Sequence, residues 1–139
     1  MRISFNYINI TLIALILLFS ACKKFEEGEN FSLRSKENRL TNTWKYVSIL
    51  NINSNQIQTS GFSGWSETFN KDRTYIKTIN YIGSESLFNG TWEYDGSKSL
   101  IINYTIRETD ISETYEIVRL SHRELCLRSD IEEKRFKID

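Results

Sequence analysis

Histidine and cysteine are scarce in this sequence, and their scarcity limits the chemistry it can support. The 139 residues include one histidine, His122, and two cysteines, Cys22 and Cys126. A zinc site takes three or four ligands, which this set cannot supply without carboxylates. A serine hydrolase needs a histidine oriented by a third group. We therefore expect no catalytic residues, no metal site and no cofactor, and we predict that the protein is not an enzyme.

An excess of either charge is also absent. The chain holds 18 basic and 18 acidic residues, for a formal net charge of zero. A protein that binds nucleic acid presents a basic stripe, and long blocks of like charge indicate an electrostatic partner; neither pattern occurs. We expect no nucleic-acid partner and a monomeric protein. Acidic pairs such as Glu132-Glu133, and Glu85 with Glu93, we interpret as carboxylates of a charged surface.

The first residues have the three parts of a secretory signal. Arg2 supplies the positive charge, residues 8–19 form a nearly continuous apolar core, and Ser20 and Ala21 are small. The apolar run is short for a membrane span, which needs about 20 apolar residues. We predict that residues 1–21 are a signal peptide that is removed. An uncleaved membrane anchor, or an ordinary signal peptide with a chance cysteine, is the alternative.

Cys22 stands directly after the run Leu-Leu-Phe-Ser-Ala of residues 17–21. This arrangement resembles the lipobox of bacterial lipoproteins, and the resemblance implies that Cys22 carries a lipid and anchors the chain to a membrane. Cys126 then has no partner in an oxidising compartment, so no disulfide framework can form. Cys126 should face the side of its strand opposite to its neighbours, as a small apolar filler or as a reactive or intermolecular thiol.

Residues 22–36 are polar, charged and without periodicity, which predicts a flexible tether. Lys23-Lys24 followed by Glu26-Glu27 loosely resembles the tags by which some Gram-negative bacteria send lipoproteins to the outer face; a plain solvated tether is the alternative. We expect the protein in the cell envelope, lipid-anchored to the outer membrane on its periplasmic or surface-exposed face. A short helix within residues 35–42 would bury Leu40.

From residue 43 onward the pattern has a period of two, in runs rich in Thr, Tyr, Ile, Trp and Phe, as strands are. Turn residues separate the runs at 70–72, 83–84, 95–97 and 121–122. The eight runs begin at Trp44, Trp65, Tyr75, Phe88, Leu100, Tyr115, Leu125 and Phe136. The connection 51–61 lacks a clear period and is expected to be a loop, or a loop that holds a short helix.

Eight short strands joined by short turns hide their edges best by closing on themselves. We therefore predict that residues 37–139 form an all-β domain. Its architecture would be a small eight-stranded antiparallel up-and-down barrel, with a short helix before it. A β-sandwich is the second choice.

Two segments repeat a motif: Asn-Thr-Trp-Lys-Tyr at 42–46 and Gly-Thr-Trp-Glu-Tyr at 90–94. With Phe-Asn-Lys-Asp at 69–72 and Tyr-Glu-Ile-Val at 115–118, their order and spacing are similar to the small lipocalin-like domains of bacterial lipoproteins. The resemblance covers about residues 40–138. It implies a barrel with a tryptophan packed across its closed end, although Asn42 replaces the usual glycine. Ligands of that family are mostly undefined, so function transfers poorly.

Aromatic residues are the candidate ligand-lining set. If they face inward, they form either plain core or an aromatic chamber whose polar groups are tyrosine hydroxyls; an exposed platform for sugars or a protein partner is a further alternative. The set comprises Trp65, Tyr75, Trp92, Tyr94, Tyr104 and Tyr115. Gly90 should open space beside Phe88 and Trp92. We expect a shallow pocket near one mouth, with a small planar ligand held by Trp65, Trp92, Tyr94 and Tyr104.

Two functions are compatible with these patterns. The first is a lipid-anchored binding module of the cell envelope that holds a small apolar or amphipathic ligand in a shallow barrel pocket. The alternative is a filled barrel that acts as a protein- or glycan-interaction module, or as an inhibitor, through its loops and outer face. The loops concerned would be 51–61, 83–86 and 121–123.

Overall fold

The computed structural model describes residues 35–139. The predicted signal peptide, the predicted lipidation site Cys22 and nearly all of the predicted tether lie outside these residues. One helix and nine strands fall within the described range. They are α1 (Lys36–Leu40), β1 (Thr43–Asn51), β2 (Gln56–Gln58), β3 (Ser66–Phe69), β4 (Thr74–Tyr81), β5 (Ser84–Asp95), β6 (Ser99–Ile106), β7 (Thr109–Leu120), β8 (Glu124–Arg128) and β9 (Glu132–Lys137). Between residues 35 and 139, no helix is long and apolar enough to cross a membrane.

The strands form one antiparallel sheet that closes on itself. From β3 to β9 each strand pairs with the next along the chain, and β1 pairs with β3 on one side and with β9 on the other. The closing register sets Tyr46 opposite Phe136 and Leu50 opposite Glu133. All strands except β2 thus make an eight-stranded up-and-down barrel. The predicted barrel is confirmed. A sandwich of two sheets is excluded because β1 and β9 pair with each other and close the single sheet.

The connection 51–61 differs from its prediction. It contains β2, which pairs with Ile49–Asn51 of β1 as an extra strand, where we expected a loop or a short helix. All three residues of β2 are exposed, so no buried face imposes an alternation on them. A strand this short, held by backbone pairing alone, leaves no pattern in the sequence.

The helix α1 covers one end of the barrel. Ser35 caps it, because its Oγ accepts a hydrogen bond from the Asn38 amide at 3.2 Å. Leu40 is fully buried, as predicted, and its carbonyl accepts a hydrogen bond from the Trp44 indole at 2.8 Å. We call this the α1 end; the β4–β5, β6–β7 and β8–β9 turns lie at the opposite, distal end.

Apolar side chains fill the half of the interior next to α1. Trp44 and Trp92 are both buried, and Phe69 lies between two rings, with centroids 6.0 Å from Trp92 and 5.3 Å from Tyr75. Leu100, Ile102, Leu120, Leu125, Leu127 and Phe136 complete this core. The filled half leaves only the middle and the distal half of the barrel for any ligand.

Gly90 does not provide the expected space. A Cβ at this position would lie 1.9 Å from the Asn103 carbonyl oxygen and 2.8 Å from the Tyr104 Cβ. Strand β6 therefore occupies the place that we assigned to a gap, and that expectation is wrong. Glycine is required at residue 90 because two backbones approach closely there.

Candidate functional site

A cluster of charged and phenolic side chains occupies the middle of the barrel. We call it the interior cluster; its members are Tyr46, Glu67, Tyr75, Tyr104, Glu113, Tyr115, Glu132 and Lys134. The Glu67 side chain is 0% exposed and the Lys134 side chain 3%. Charged groups are rarely buried this deeply unless they are paired, because removing a charge from water is costly.

The period of two in the strands brings these side chains to the inner face. In β3, Glu67 precedes the buried Phe69 by two residues, so both point to the same side of the sheet. The register then places Lys77 of β4 directly opposite Glu67. In β9, Lys134 precedes the buried Phe136 by two residues in the same way.

Lys134 is the centre of the cluster. Its Nζ lies 3.1 Å from Glu132 Oε1, 3.7 Å from Glu113 Oε2 and 3.7 Å from Glu67 Oε1, and it donates a hydrogen bond to the Tyr115 hydroxyl. Burial lowers the pKa of Lys134, but the three carboxylates outweigh burial, and the net effect is a raised pKa. The ammonium is therefore charged at neutral pH.

The tyrosine hydroxyls bind the carboxylates. The Tyr104 hydroxyl donates to Glu113 Oε1 at 3.0 Å, and the Tyr46 hydroxyl donates to Glu67 Oε1. The Tyr115 hydroxyl lies 2.9 Å from Glu113 Oε2 and 3.0 Å from Glu132 Oε1. Burial, followed by the neighbouring carboxylates, raises the pKa of Tyr46, Tyr104 and Tyr115. All three phenols stay protonated at neutral pH and act as donors.

Glu113 connects Tyr104 with Tyr115 and Lys134. Burial opposes its ionisation, but Lys134, Lys77 and the hydroxyls of Tyr115 and Tyr104 outweigh burial and lower the pKa of Glu113. Its side chain is 28% exposed and that of Glu132 is 26% exposed. Since Glu132 begins β9 at the β8–β9 turn, the cluster reaches solvent toward the distal end.

Two buried polar atoms of the cluster are not satisfied. Within the part of the chain that the structure describes, neither Glu67 Oε2 nor the Tyr75 hydroxyl has a hydrogen-bond partner. Tyr75 precedes Lys77, the cross-strand partner of Glu67, by two residues, so it is a diagonal neighbour of Glu67 on the inner face. Burial raises the pKa of Tyr75, and Glu67 and Glu113 raise it further. An unsatisfied buried group costs about 1–3 kcal/mol. The two atoms make the cluster a candidate binding site rather than only a structural network.

The tyrosine rings of the cluster form an aromatic wall together with Phe88. The Tyr104 centroid lies 6.0 Å from that of Tyr75 and 6.5 Å from that of Phe88. Lys77 Nζ lies 5.2 Å from the centre of the Tyr104 ring, and Lys134 Nζ lies 4.5 Å from that of Tyr115. Cations therefore already contact two of these ring faces.

The six predicted ligand-lining residues fall into three places. Tyr75, Tyr104 and Tyr115 lie in the interior cluster. Trp65 packs on Phe62, with centroids 5.5 Å apart, and donates its indole N–H to the Asn80 carbonyl at 2.8 Å.

The remaining two residues, Trp92 and Tyr94, lie at the α1 end with centroids 5.4 Å apart, and the Arg73 guanidinium lies 4.3 Å from the Trp92 ring centre. The structure does not bring this pair together with Trp65. Whether any of the six residues contacts a ligand stays a prediction.

Sequence reasoning missed the charged members of the cluster. We interpreted Glu132-Glu133 as surface carboxylates, and this is wrong for Glu133, which is buried on the outer face. Its Oε2 accepts hydrogen bonds from Arg128 at 2.6 and 2.9 Å, and its Oε1 accepts from Arg135 at 2.9 Å. Glu85 and Glu93 are exposed, as expected.

Cys126 faces away from the barrel interior, on the side opposite to Leu125 and Leu127, as predicted. It is buried under Glu133, and burial and then Glu133 raise the pKa of the thiol to about 11. A raised pKa keeps the thiol protonated, whereas a reactive cysteine needs a thiolate. These contacts favour the filler interpretation.

The other candidate groups are dispersed. His122 is exposed in the β7–β8 turn, and across residues 35–139 no group of three or more His, Cys, Asp or Glu side chains is arranged to hold a metal ion.

Of the loops that we assigned to an interaction surface, 51–61 and 83–86 lie at the distal end. Residues 121–123 lie at the α1 end, so the three loops do not form one surface.

No protein-family model and no curated protein matches the chain. Two solved structures are similar in fold. A lipocalin-like protein from Bacteroides uniformis aligns over 73% of this chain and 99% of its own, with a TM-score of 0.61 and 14% identity. The fold is lipocalin-like. An uncharacterized protein from Bacteroides eggerthii aligns over 71% of this chain and 99% of its own, with a TM-score of 0.59 and 10% identity. At these identities the likeness concerns the fold alone.

Proposed function

We propose that this protein is a lipid-anchored binding module of the cell envelope that holds a small amphipathic ligand at the interior cluster. The observation that carries the proposal is a pair of buried polar atoms, Glu67 Oε2 and the Tyr75 hydroxyl, in the middle of a lipocalin-like barrel. Neither atom has a hydrogen-bond partner among residues 35–139. A barrel of eight strands has room for side chains or for one small ligand. The polar cluster gives such a ligand a place to bind.

The arrangement of the interior favours an amphipathic ligand over a purely apolar one. A purely apolar ligand at the cluster would leave the buried acceptor Glu67 Oε2 unsatisfied. Phe88, Ile106 and Ile111 pack on the core as partly buried side chains. In the register Phe88 and Ile106 lie on the distal side of Tyr104, and Ile111 lies directly opposite Tyr104. A ligand with a polar head at the cluster would place its apolar part against them.

The anchor part of the proposal rests on the sequence around Cys22, which has the apolar core, small residues and cysteine of a lipobox. A lipid on the first residue of the mature chain would keep the barrel at a membrane surface. Small amphipathic molecules concentrate at such a surface because they partition into the interface, so the anchor and the proposed ligand class are compatible.

A second candidate function is protein interaction at the distal end. Ile82 is 86% exposed and Tyr81 69% exposed at the β4–β5 turn, and Ile82 has a positive φ of 51°, which is unfavourable for a β-branched residue. Ile57 and Ile131 are also exposed at this end. Exposed apolar side chains grouped at one end of a domain are typical of an interaction site.

Native mass spectrometry of the full chain, purified from its own host, tests the proposal. We expect a non-covalent adduct of one small molecule per chain, released when the protein is unfolded. The matched control is the variant Ile82→Ser, which alters the distal tip and leaves the cluster intact, and it should retain the adduct. A chain without an adduct that captures a protein through Ile82 would favour the second function.

A further inference from the structure

We propose that the interior cluster recognises its ligand through a protonated amine, which binds between Glu67 Oε2 and the Tyr75 hydroxyl. The inference rests on the proposed function and names the chemical class of the ligand for that site. The apolar part of the amine would lie toward Phe88 and the distal end.

The unsatisfied oxygen of Glu67 requires a donor. Its other oxygen, Oε1, accepts the Tyr46 hydroxyl and lies 3.7 Å from Lys134 Nζ. A carboxylate oxygen can only accept hydrogen bonds, whereas a phenol oxygen both donates and accepts. An ammonium group has three donors and no acceptor. One ammonium can therefore satisfy Glu67 Oε2 and the oxygen of the Tyr75 hydroxyl together.

The formal charge of the site favours a cation. Three carboxylates, those of Glu67, Glu113 and Glu132, face two ammonium groups, Lys134 in their midst and Lys77 on the neighbouring strand. The sum is one negative charge. A buried charge is stable only when it is compensated, so a ligand with one positive charge completes the set, and an anionic ligand would add to the imbalance.

The aromatic wall suits an ammonium group as well. Cations are attracted to the faces of aromatic rings, and the barrel already uses this contact at Tyr104 with Lys77 and at Tyr115 with Lys134. The ring of Tyr75 lies next to that of Tyr104, with centroids 6.0 Å apart. An amine at the Tyr75 hydroxyl would therefore lie beside rings of the same kind.

The structure also indicates how a ligand would reach Glu67. Tyr46, which binds Glu67, is covered by Phe62 and Trp65, with centroids 5.6 and 5.8 Å away. These two residues belong to the connection 59–65 between β2 and β3, which holds Gly61 and Gly64 at φ of 87° and 75°. In the described sheet β2 pairs with β1 and not with β4, so β2 is not one of the eight strands that close the barrel. Trp65 is fixed, since its carbonyl accepts the Tyr46 amide at 3.4 Å and its indole donates to the Asn80 carbonyl at 2.8 Å. A movement of Phe62 and the glycines beside it would uncover this side of Tyr46 while Trp65 stays in place.

Three probes of the same shape test the inference by isothermal titration calorimetry of the full chain at neutral pH. They are 2-phenylethylamine, its neutral analogue 2-phenylethanol, and the anion 3-phenylpropionate. We expect saturable one-to-one binding of the amine. The alcohol should bind at least tenfold more weakly, and the anion should show no measurable binding.

Two tyrosine variants form a matched pair. Tyr75→Phe removes the hydroxyl at the site and should weaken amine binding severalfold without lowering the melting temperature, because the lost hydroxyl has no partner within residues 35–139. Tyr94→Phe removes a hydroxyl that is likewise unpartnered within the same range but lies at the α1 end, and it should leave amine binding unchanged.

Glu67→Gln keeps the shape of the side chain and removes its charge, so the preference for the amine over the alcohol should disappear. Glu93→Gln, at an exposed position of β5, is its control. If Glu67→Gln does not fold, the tyrosine pair decides.

Alcohol that binds as tightly as amine, or an equal effect of Tyr75→Phe and Tyr94→Phe, would overturn the amine inference and leave the binding function standing. Failure of all three probes to bind would overturn both, with buried water as the partner of Glu67.

Discussion

Lys134 Nζ lies 3.7 Å from Glu67 Oε1 although their strands, β9 and β3, do not pair with each other. Each strand pairs with a different edge of β1, so the two residues meet only because the sheet closes. The contact therefore links the closure of the barrel to its buried charges. A change at Lys134 should affect the stability of the whole barrel.

Replacing Lys134 with methionine should destabilise the protein by about 3–5 kcal/mol, since removal of one partner leaves buried carboxylates uncompensated. The matched control is Lys137→Met, an exposed position of the same strand, for which we expect a change within about 0.5 kcal/mol. Urea denaturation gives the free energy of unfolding of both variants. Equal stability of the two would mean that the cluster is not compensated through Lys134.

Stability should fall in acid because of Glu113. Its pKa is lowered in the folded protein below the ordinary value of 4.5, so its contribution is present above that value and is lost as the pH falls through the folded pKa. The groups that face Glu113 are Lys134, Lys77, Tyr115 and Tyr104. The melting temperature of Glu113→Gln should depend less on pH below about 4.5 than that of the wild type, whereas Glu93→Gln should follow the wild type.

At alkaline pH the sign is reversed for Lys134. Its pKa is raised above 10.5 in the folded protein, so its contribution is fully present below that value and is lost as the pH rises through the folded pKa. The same melting series, extended above pH 10.5, should show this second loss. A wild-type curve that is flat in both directions would contradict the paired network.

The sequence predicts the barrel and the helix before it, because both follow from residue patterns along the chain. Alternation from Trp44 to Phe136 is enough to predict a closed barrel, and a short helix with Leu40 buried follows from local residues. β2 could not be predicted, since three exposed residues carry no alternation. The absence of a side chain at Gly90 predicted open space in the interior. The sequence does not reveal that the backbone of β6 lies in that space.

The sequence predicted the tyrosines of the candidate site but not its charged residues. The tyrosines were recognised as inward, because alternation with exposed residues marks them. Glu67 and Lys134 occupy inward positions by the same alternation, but charged residues are almost always exposed. Their mutual neutralisation depends on contacts between β3, β7 and β9 that are distant along the chain. A Glu at an inward position between two aromatic residues is the signal that would have found Glu67.

Trp44→Ala should cost about 3–5 kcal/mol, as is typical when a buried tryptophan is truncated. The side chain is fully buried, and its indole N–H bonds the Leu40 carbonyl, so the variant also loses the link between α1 and the barrel. Because a domain has only about 5–15 kcal/mol in total, the variant should be near the limit of folding. Val47→Ala, at an exposed position of the same strand, is the control in chemical denaturation.

Gly90→Ala should destabilise the barrel by about 1–3 kcal/mol or more, the range for added volume in a packed interior. The new Cβ would meet the Asn103 carbonyl oxygen at 1.9 Å, and backbone cannot move aside as a flexible side chain can. Thr91→Ala, at the next and exposed position, is the matched control. If both variants melt at the wild-type temperature, β5 and β6 do not approach as closely as the structure indicates.

Cys22→Ser should release the protein from the membrane fraction or leave the leader uncut, because the proposed lipid is attached to the sulfur that this change removes. Cys126 is the one other cysteine of the chain, so Cys126→Ser controls for the loss of a thiol; it should keep the protein at the membrane. Growth with a labelled fatty acid measures the attachment directly. Wild type and Cys126→Ser should take up label, and Cys22→Ser should take up none. Equal label in Cys22→Ser and wild type would end the lipoprotein interpretation, and the binding module would then have to reach its ligand without an anchor on this residue.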